Sequence, residues 1–243
     1  MNTLITVLER ITKFKAFPYY GAERRIDIIL SVFLPAIIKN ALYPNEQCNI
    51  DFIMPELPLK QENNQADCVD YLLSKTLNGE IEKLLLVELK TDVGMISKDQ
   101  FIKYKNMKWH DVVNGIKEKS LETEYKNRIK YFNLLEHLVA KNLLTKKDSH
   151  IVIRNDLLAL FKLSTKVHKE KMKIYYKMAE YCESIFPNER IDNIEVIYLG
   201  PKNDVTDKIS GLQNIYFQNL DEKMENEYPE DWVYIVNTLR DMK

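Results

Sequence analysis

Apolar positions follow two periods along this chain, and each change of period marks an element. Thr3–Phe14 repeats its apolar residues at helical spacing and predicts a short amphipathic helix, which Pro18-Tyr19-Tyr20-Gly21 ends. Ala22–Ala41 is apolar on most sides, so it predicts a largely buried helix with Pro35 as the place for a kink. Ile50–Leu59 is rich in strand formers, yet Pro44, Pro55 and Pro58 stand in or near it. Proline cannot donate to a ladder, so this segment is expected at a sheet edge or as an extended arm. Cys68–Lys75 and Ile81–Thr91 read as two strands joined across Leu77-Asn78-Gly79-Glu80. Asn-Gly between two such runs signals a tight hairpin, because both residues accept the positive φ that the turn needs.

The second half is mostly helical in period. Ser97–Lys119 predicts one long helix capped by Ser97, and Glu122–Leu144 predicts another with Tyr125, Ile129, Phe132, Leu135 and Val139 on one face. Ile151–Leu163 fits a strand or a helix equally. Val167–Ile185 predicts a helix with a basic exposed side, ended by Pro187-Asn188. Ile194–Leu199 is a strand followed by Gly200-Pro201, Ile215-Tyr216-Phe217 a shorter strand, and Trp232–Met242 a closing helix. A hairpin, then helices, then strands and a helix suits a mixed α/β layer rather than a doubly wound parallel sheet. The sequence contains no Gly-x-Gly-x-x-Gly and no Walker loop, which removes the nucleotide-fingerprint readings.

Length and composition narrow the class. A chain of 243 residues with 45% hydrophobic and 29% charged residues can bury a full core, as one domain or one domain with an elaboration. The net charge of −1 hides an asymmetry: residues 98–173 hold 18 Lys and Arg against 9 Asp and Glu, so the remainder is acidic. A basic middle in a near-neutral chain points to a polyanionic partner, with solvated helix faces as the plain alternative. Cys48, Cys68 and Cys182 are few, odd in number and far apart, which predicts reduced thiols and a cytoplasmic protein. His110, His137, His150 and His168 lack ligand spacing and are expected at the surface or its boundary. Glu9 and Arg10 interrupt the apolar pattern of Met1–Lys15, so no signal peptide is expected there. Ile26–Ile38 holds Asp27, Ser31 and Pro35 and falls short of the ~20 residues a membrane span takes, so no membrane partner is expected.

The chemistry concentrates in Leu84-Leu85-Leu86-Val87-Glu88-Leu89-Lys90-Thr91-Asp92. A buried strand that carries Glu88 and Lys90 on one face needs a use for them, because their desolvation is costly. A hairpin centred near Gly79 sets Asp70 across from Glu88, and opposed Cβ atoms lie ~4.5–5.5 Å apart. Two carboxylates that close repel unless a cation lies between them, and Mg²⁺ suits such oxygen ligands. Asp67 would face Thr91 nearer the strand end and stands in reserve as ligand. Lys90 stands two residues beyond Glu88, where an ammonium can contact a phosphate or orient water.

This Asp70…Glu88-x-Lys90 arrangement resembles the PD-(D/E)XK nuclease superfamily, although Val69 stands where the Pro of that name would be. Gln100-Phe101-Ile102-Lys103-Tyr104 resembles the Gln-x-x-x-Tyr motif of its RecB-like exonuclease branch; positions i and i+4 share a helix face. Glu23 corresponds to that family's N-terminal helical Glu. The resemblance covers roughly residues 20–110, with Ile194–Leu199 as a later core strand. It implies a restriction-endonuclease-like α/β core, a mixed central sheet flanked by helices, within one domain over 1–243 that carries a helical insertion at 111–182. It further implies a Mg²⁺- or Mn²⁺-dependent deoxyribonuclease that hydrolyses phosphodiester bonds. Asp70, Glu88 and the Leu89 carbonyl would hold the metal, Lys90 would position water or phosphate, Gln100 and Tyr104 would hold the substrate backbone, and Glu23 would assist. Nucleic acid, DNA above all, is the expected partner; a homodimer or an operon-encoded protein partner is also compatible. The competing reading is a catalytically inactive nuclease-fold protein that binds nucleic acid or a protein.

Overall fold

The computed structural model describes residues 25–59, 67–90, 98–163, 170–191, 193–202, 204–222, 224 and 229–240. Helix α1 (Arg25–Leu42) opens the described chain and contains Pro35. Leu30, Phe33, Leu34, Ile37 and Ile38 recur at helical spacing, and all are buried. Strands β1 (Asn49–Leu59), β2 (Asp67–Leu77) and β3 (Glu80–Leu89) then run as an antiparallel meander. The β2–β3 turn is the predicted Asn-Gly hairpin, with φ of 52° at Asn78 and 83° at Gly79. β1 lies at the sheet edge, as its prolines require. Its ladder is irregular between Phe52 and Met54, and Glu56 takes a left-handed φ of 48°.

Strands β6 (Ile194–Gly200) and β7 (Leu212–Tyr216) complete a five-stranded mixed sheet of order β1-β2-β3-β6-β7. β6 runs parallel to β3, and β7 parallel to β6. Residues 84–89 of β3 are buried throughout because helices cover both faces of the sheet. Tyr71, Leu73, Leu85, Val87, Leu89, Ile197 and Leu199 face α1 and the closing helix α8 (Pro229–Arg240), where Trp232 packs on Phe33. Leu72, Leu84, Leu86, Val196 and Tyr198 face a larger helical layer.

That layer fills the connection from β3 to β6. It comprises α2 (Lys98–Lys105), α3 (Trp109–Glu122), α4 (Tyr125–Ala140), α5 (His150–Leu163) and α6 (Glu170–Glu183). The expected single helix over 97–119 is two helices, and Ser97 lies outside the described residues. Lys108 is extended (φ −108°, ψ 145°), so the chain turns and sends the Trp109 indole inward, where Nε1 donates to the Leu143 carbonyl at 2.9 Å. The ambiguous segment at 151–163 is helical. The predicted helices over 122–144 and 167–185 both end early, because their last apolar residues pair as β4 (Leu144–Lys146) and β5 (Ile185–Pro187). Asn142, at φ 59°, makes the turn out of α4. A short helix α7 (Asp204–Asp207) precedes β7, and Phe217, expected in a strand, begins a 3₁₀ turn instead. The predicted helix over 3–14 lies outside the described residues.

Cys48, Cys68 and Cys182 are free thiols. His110 is exposed, but His137 and His150 are buried rather than peripheral, and each is satisfied: His137 Nε2 lies 2.8 Å from the Ile53 carbonyl, and His150 lies between Ser184 and Glu136. His168 lies outside the described residues. Among the described residues no helix is long and apolar enough to cross a membrane.

Candidate active site

The β2–β3 register builds the site. A one-residue shift between Lys75 and Thr76 makes Tyr71 pair with Val87 at the end of the ladder, and Asp70 and Glu88, the next residue on each strand, lie close enough just beyond it for their charges to interact. There the ladder stops being purely main chain: the Leu89 amide donates to Asp70 Oδ2 at 2.8 Å. This bond fixes the Asp70 carboxylate against the end of β3. Leu89 sends its side chain into the apolar cluster under α1, so only its carbonyl is available to the site. β3 ends at Leu89, and the Lys90 amide donates to the Leu199 carbonyl at 3.0 Å, which ties the residue after the strand to β6.

Glu88 is the centre of the arrangement. Only 2% of it is exposed. Its Oε1 accepts from Lys90 Nζ at 2.5 Å and from Gln100 Nε2 at 2.9 Å. Gln100 sits on the first turn of α2, and its Nε2 also donates to the Tyr104 hydroxyl one turn later at 2.6 Å. Tyr104 is fully buried, so in this arrangement its hydroxyl holds Gln100. Glu88, Lys90, Gln100 and Tyr104 therefore form one connected group, with Asp70 beside it. Glu23 and the Asp67 side chain lie outside the described residues.

The second oxygen of Glu88 tells more. Oε2 is buried and accepts no hydrogen bond among the described residues. A buried oxygen left unpaired costs about 1–3 kcal/mol, and more when charged. Burial first and the Asp70 carboxylate second push the Glu88 carboxyl up to about 7. Lys90 and Gln100 pull the other way. Two adjacent carboxylates, one of them dry and short of a partner, form an oxygen-donor set that a divalent cation would relieve. Two carboxylates and a main-chain carbonyl suit Mg²⁺ or Mn²⁺, whose remaining positions are filled by water. Among the described residues no three His, Cys, Asp or Glu side chains converge, so the set holds no denser cage.

Comparison with family models, with curated proteins and with solved structures gave no match. The site therefore rests on its own geometry. That geometry brings Asp70, Glu88, Lys90, Gln100 and Tyr104 together from three elements that the sequence pattern identified. Two participants carry no such signal. Tyr198 on β6 pairs with Glu88 across the parallel ladder, and its ring meets Phe101 edge-on at 6.0 Å between centroids, next to Gln100. Gly200 at the end of β6 leaves room for the Lys90 carbonyl. Only the Gly200-Pro201 pair hinted at anything there, and it read as a strand end.

Proposed function

We propose that this chain is a divalent-metal-dependent nuclease that hydrolyses phosphodiester bonds of DNA. The observation that carries the reading is the closeness of the Asp70 carboxylate to a buried Glu88 whose Oε2 has no hydrogen-bond partner among the described residues, with the Lys90 ammonium on the other oxygen of Glu88. The mixed five-stranded sheet flanked by helices is compatible with the core that the resemblance implies.

In this reading Asp70, Glu88 and the Leu89 carbonyl hold Mg²⁺ or Mn²⁺. Such a cation, once bound, supplies Lewis acidity at the phosphate and acidifies coordinated water. The chain does the rest. The Leu89 amide keeps Asp70 aimed through Oδ2. Lys90, only 14% exposed in its side chain, brings a fixed positive charge to the place where the phosphoryl group gains negative charge. Gln100 offers its amide to the phosphodiester backbone once Glu88 is engaged elsewhere, and Tyr104 holds it in place. Glu23 assists on the resemblance alone.

The test is an assay with Mg²⁺ on linear and circular DNA. Wild type is expected to cleave, and Glu88→Ala and Lys90→Ala are expected to lose that activity by at least ~100-fold. Activity that survives either substitution unchanged overturns the assignment. Salt-sensitive DNA binding by a wild type that never cleaves would assign the fold to binding instead.

A further inference from the structure

We infer that Gly200 is a positioning residue for Lys90, made so by the missing Cβ where the ends of β3 and β6 close on each other. The inference rests on the nuclease reading for its kinetic test, and on geometry alone for its structural one. A Cβ at position 200 would lie 2.6 Å from the Lys90 carbonyl oxygen, 2.6 Å from the Tyr198 hydroxyl and 2.8 Å from Tyr198 Cζ. Carbon does not approach oxygen that closely without displacing it.

Neither neighbour yields easily. The Lys90 carbonyl is main chain, and the amide of the same residue is bound to the Leu199 carbonyl at 3.0 Å. Tyr198 is fully buried between the rings of Phe101 and Tyr216, at 6.0 and 6.1 Å, and its hydroxyl donates to the Pro201 carbonyl at 2.8 Å. Pro201 itself has no N–H, so β6 cannot continue its ladder along Lys90. The missing Cβ of Gly200 lets the end of β3 lie this close to β6, where the Lys90 amide bond to Leu199 ties it. From that backbone position Lys90 reaches Glu88 Oε1. Any side chain at 200 pushes the Lys90 main chain away, and the ammonium goes with it. Gly200 touches no substrate; it acts through Lys90.

The full-length chain is assayed with Mg²⁺ on linear DNA as wild type, Gly200→Ala, Lys90→Ala and the double variant. Gly200→Ala is expected to lower kcat by ~10–100-fold, the scale of a misplaced catalytic group, with KM changed less than about twofold. Added to Lys90→Ala it is expected to cost nothing more, because the group it positions is already gone. Hydrogen exchange on the metal-free protein reads the geometry directly: protection of the Lys90 amide falls by ~10-fold or more in Gly200→Ala while the amides of residues 84–87 keep theirs. Should Gly200→Ala fail to fold, Tyr198→Phe keeps Gly200 and cuts the tether to Pro201; it is expected to give a smaller kcat loss, again silent in the Lys90→Ala background. An unchanged kcat with an unchanged Lys90 amide, or a loss that adds to that of Lys90→Ala, overturns the inference and leaves the nuclease reading standing. A wild type without Mg²⁺-dependent cleavage, or one that Lys90→Ala leaves intact, overturns the nuclease reading, and the Lys90 amide still decides whether Gly200 holds the strand end.

Discussion

Glu88 is a carboxylate that the fold disfavours in its charged form. Its carboxyl rises to about 7 through burial first and Asp70 second. A group held above its unfolded value binds its proton more tightly in the folded state, so folding stability falls as pH climbs from the ordinary carboxylate range to about 7. Metal-free Glu88→Gln has no proton to lose and should lack that slope. It should be more stable than wild type at pH 8, by on the order of 1–3 kcal/mol, while matching it near pH 4. Thermal unfolding across pH checks this, and parallel slopes for the two proteins would show that Glu88 is not the group responsible. A bound cation reverses the preference, so metal affinity should rise with pH through about 7. Asp70→Asn separates charge from geometry at the neighbouring position. The amide oxygen can still accept from Leu89, so the strand end survives. The lost charge should nonetheless weaken Mn²⁺ binding by ~10-fold or more by calorimetry, since even residues behind a ligand typically cost that much. Equal affinities for Asp70→Asn and wild type would remove Asp70 from the ligand set.

The hairpin is the element on which the site depends, and its turn lies at the far end from the chemistry. Gly79 has open space around its missing Cβ but a φ of 83°, so alanine there meets backbone strain and no clash. Gly79→Ala should lower stability by about 1–2 kcal/mol and leave metal affinity unchanged, because residues 71–75 keep their partners on β3. A metal affinity that falls with it would mean that the register slipped. The same local chemistry explains why this element was readable from sequence. Asn-Gly sets the turn, but its own register would bring Val87 to Asp70; the one-residue shift between Lys75 and Thr76, which no local pattern announced, moves the ladder so that Glu88 comes beside Asp70 instead. Gln100 and Tyr104 were singled out by the Gln-x-x-x-Tyr resemblance, and their spacing of one helical turn set them on a shared face. The helical layer was less so. Nothing in the local period of residues 97–119 reveals the bend at Lys108, which exists because the Trp109 indole finds an acceptor 34 residues away at Leu143. The last apolar residues of two helices, Leu144 and Ile185, were indistinguishable from helix until their pairing was seen. Gly200 and Tyr198 escaped for the same reason: their parts depend on contacts with Lys90 and Phe101 that only the parallel crossover creates.

At the scale of the whole molecule, the sheet separates two environments. One face packs against α1 and α8 and takes Leu85, Val87 and Leu89 from β3. The other carries Leu84 and Leu86 and then, in the same row, Glu88, beside a helical layer drawn from the basic stretch of the chain. Part of that positive charge serves the fold. Arg154 binds Glu136, and Lys117 donates to the Ile185 carbonyl at 2.5 Å. Among the described residues of this stretch, Lys98, Lys108 and Lys171 are exposed. If that surface meets the phosphate backbone, binding releases counterions, and the logarithm of affinity falls linearly with the logarithm of salt concentration. The Glu88→Gln variant, which keeps the helical layer and loses the charge at the site, suits the measurement because DNA stays intact during titration. Its affinity for a duplex should drop by on the order of 10³-fold or more between 50 and 200 mM salt if roughly six phosphates are contacted. Replacing Lys98, Lys108 and Lys171 together by Gln should flatten the slope by up to about three units without moving the unfolding temperature, because exposed charges of this kind contribute little to stability. A slope that ignores all three lysines would place the nucleic-acid surface elsewhere on the molecule.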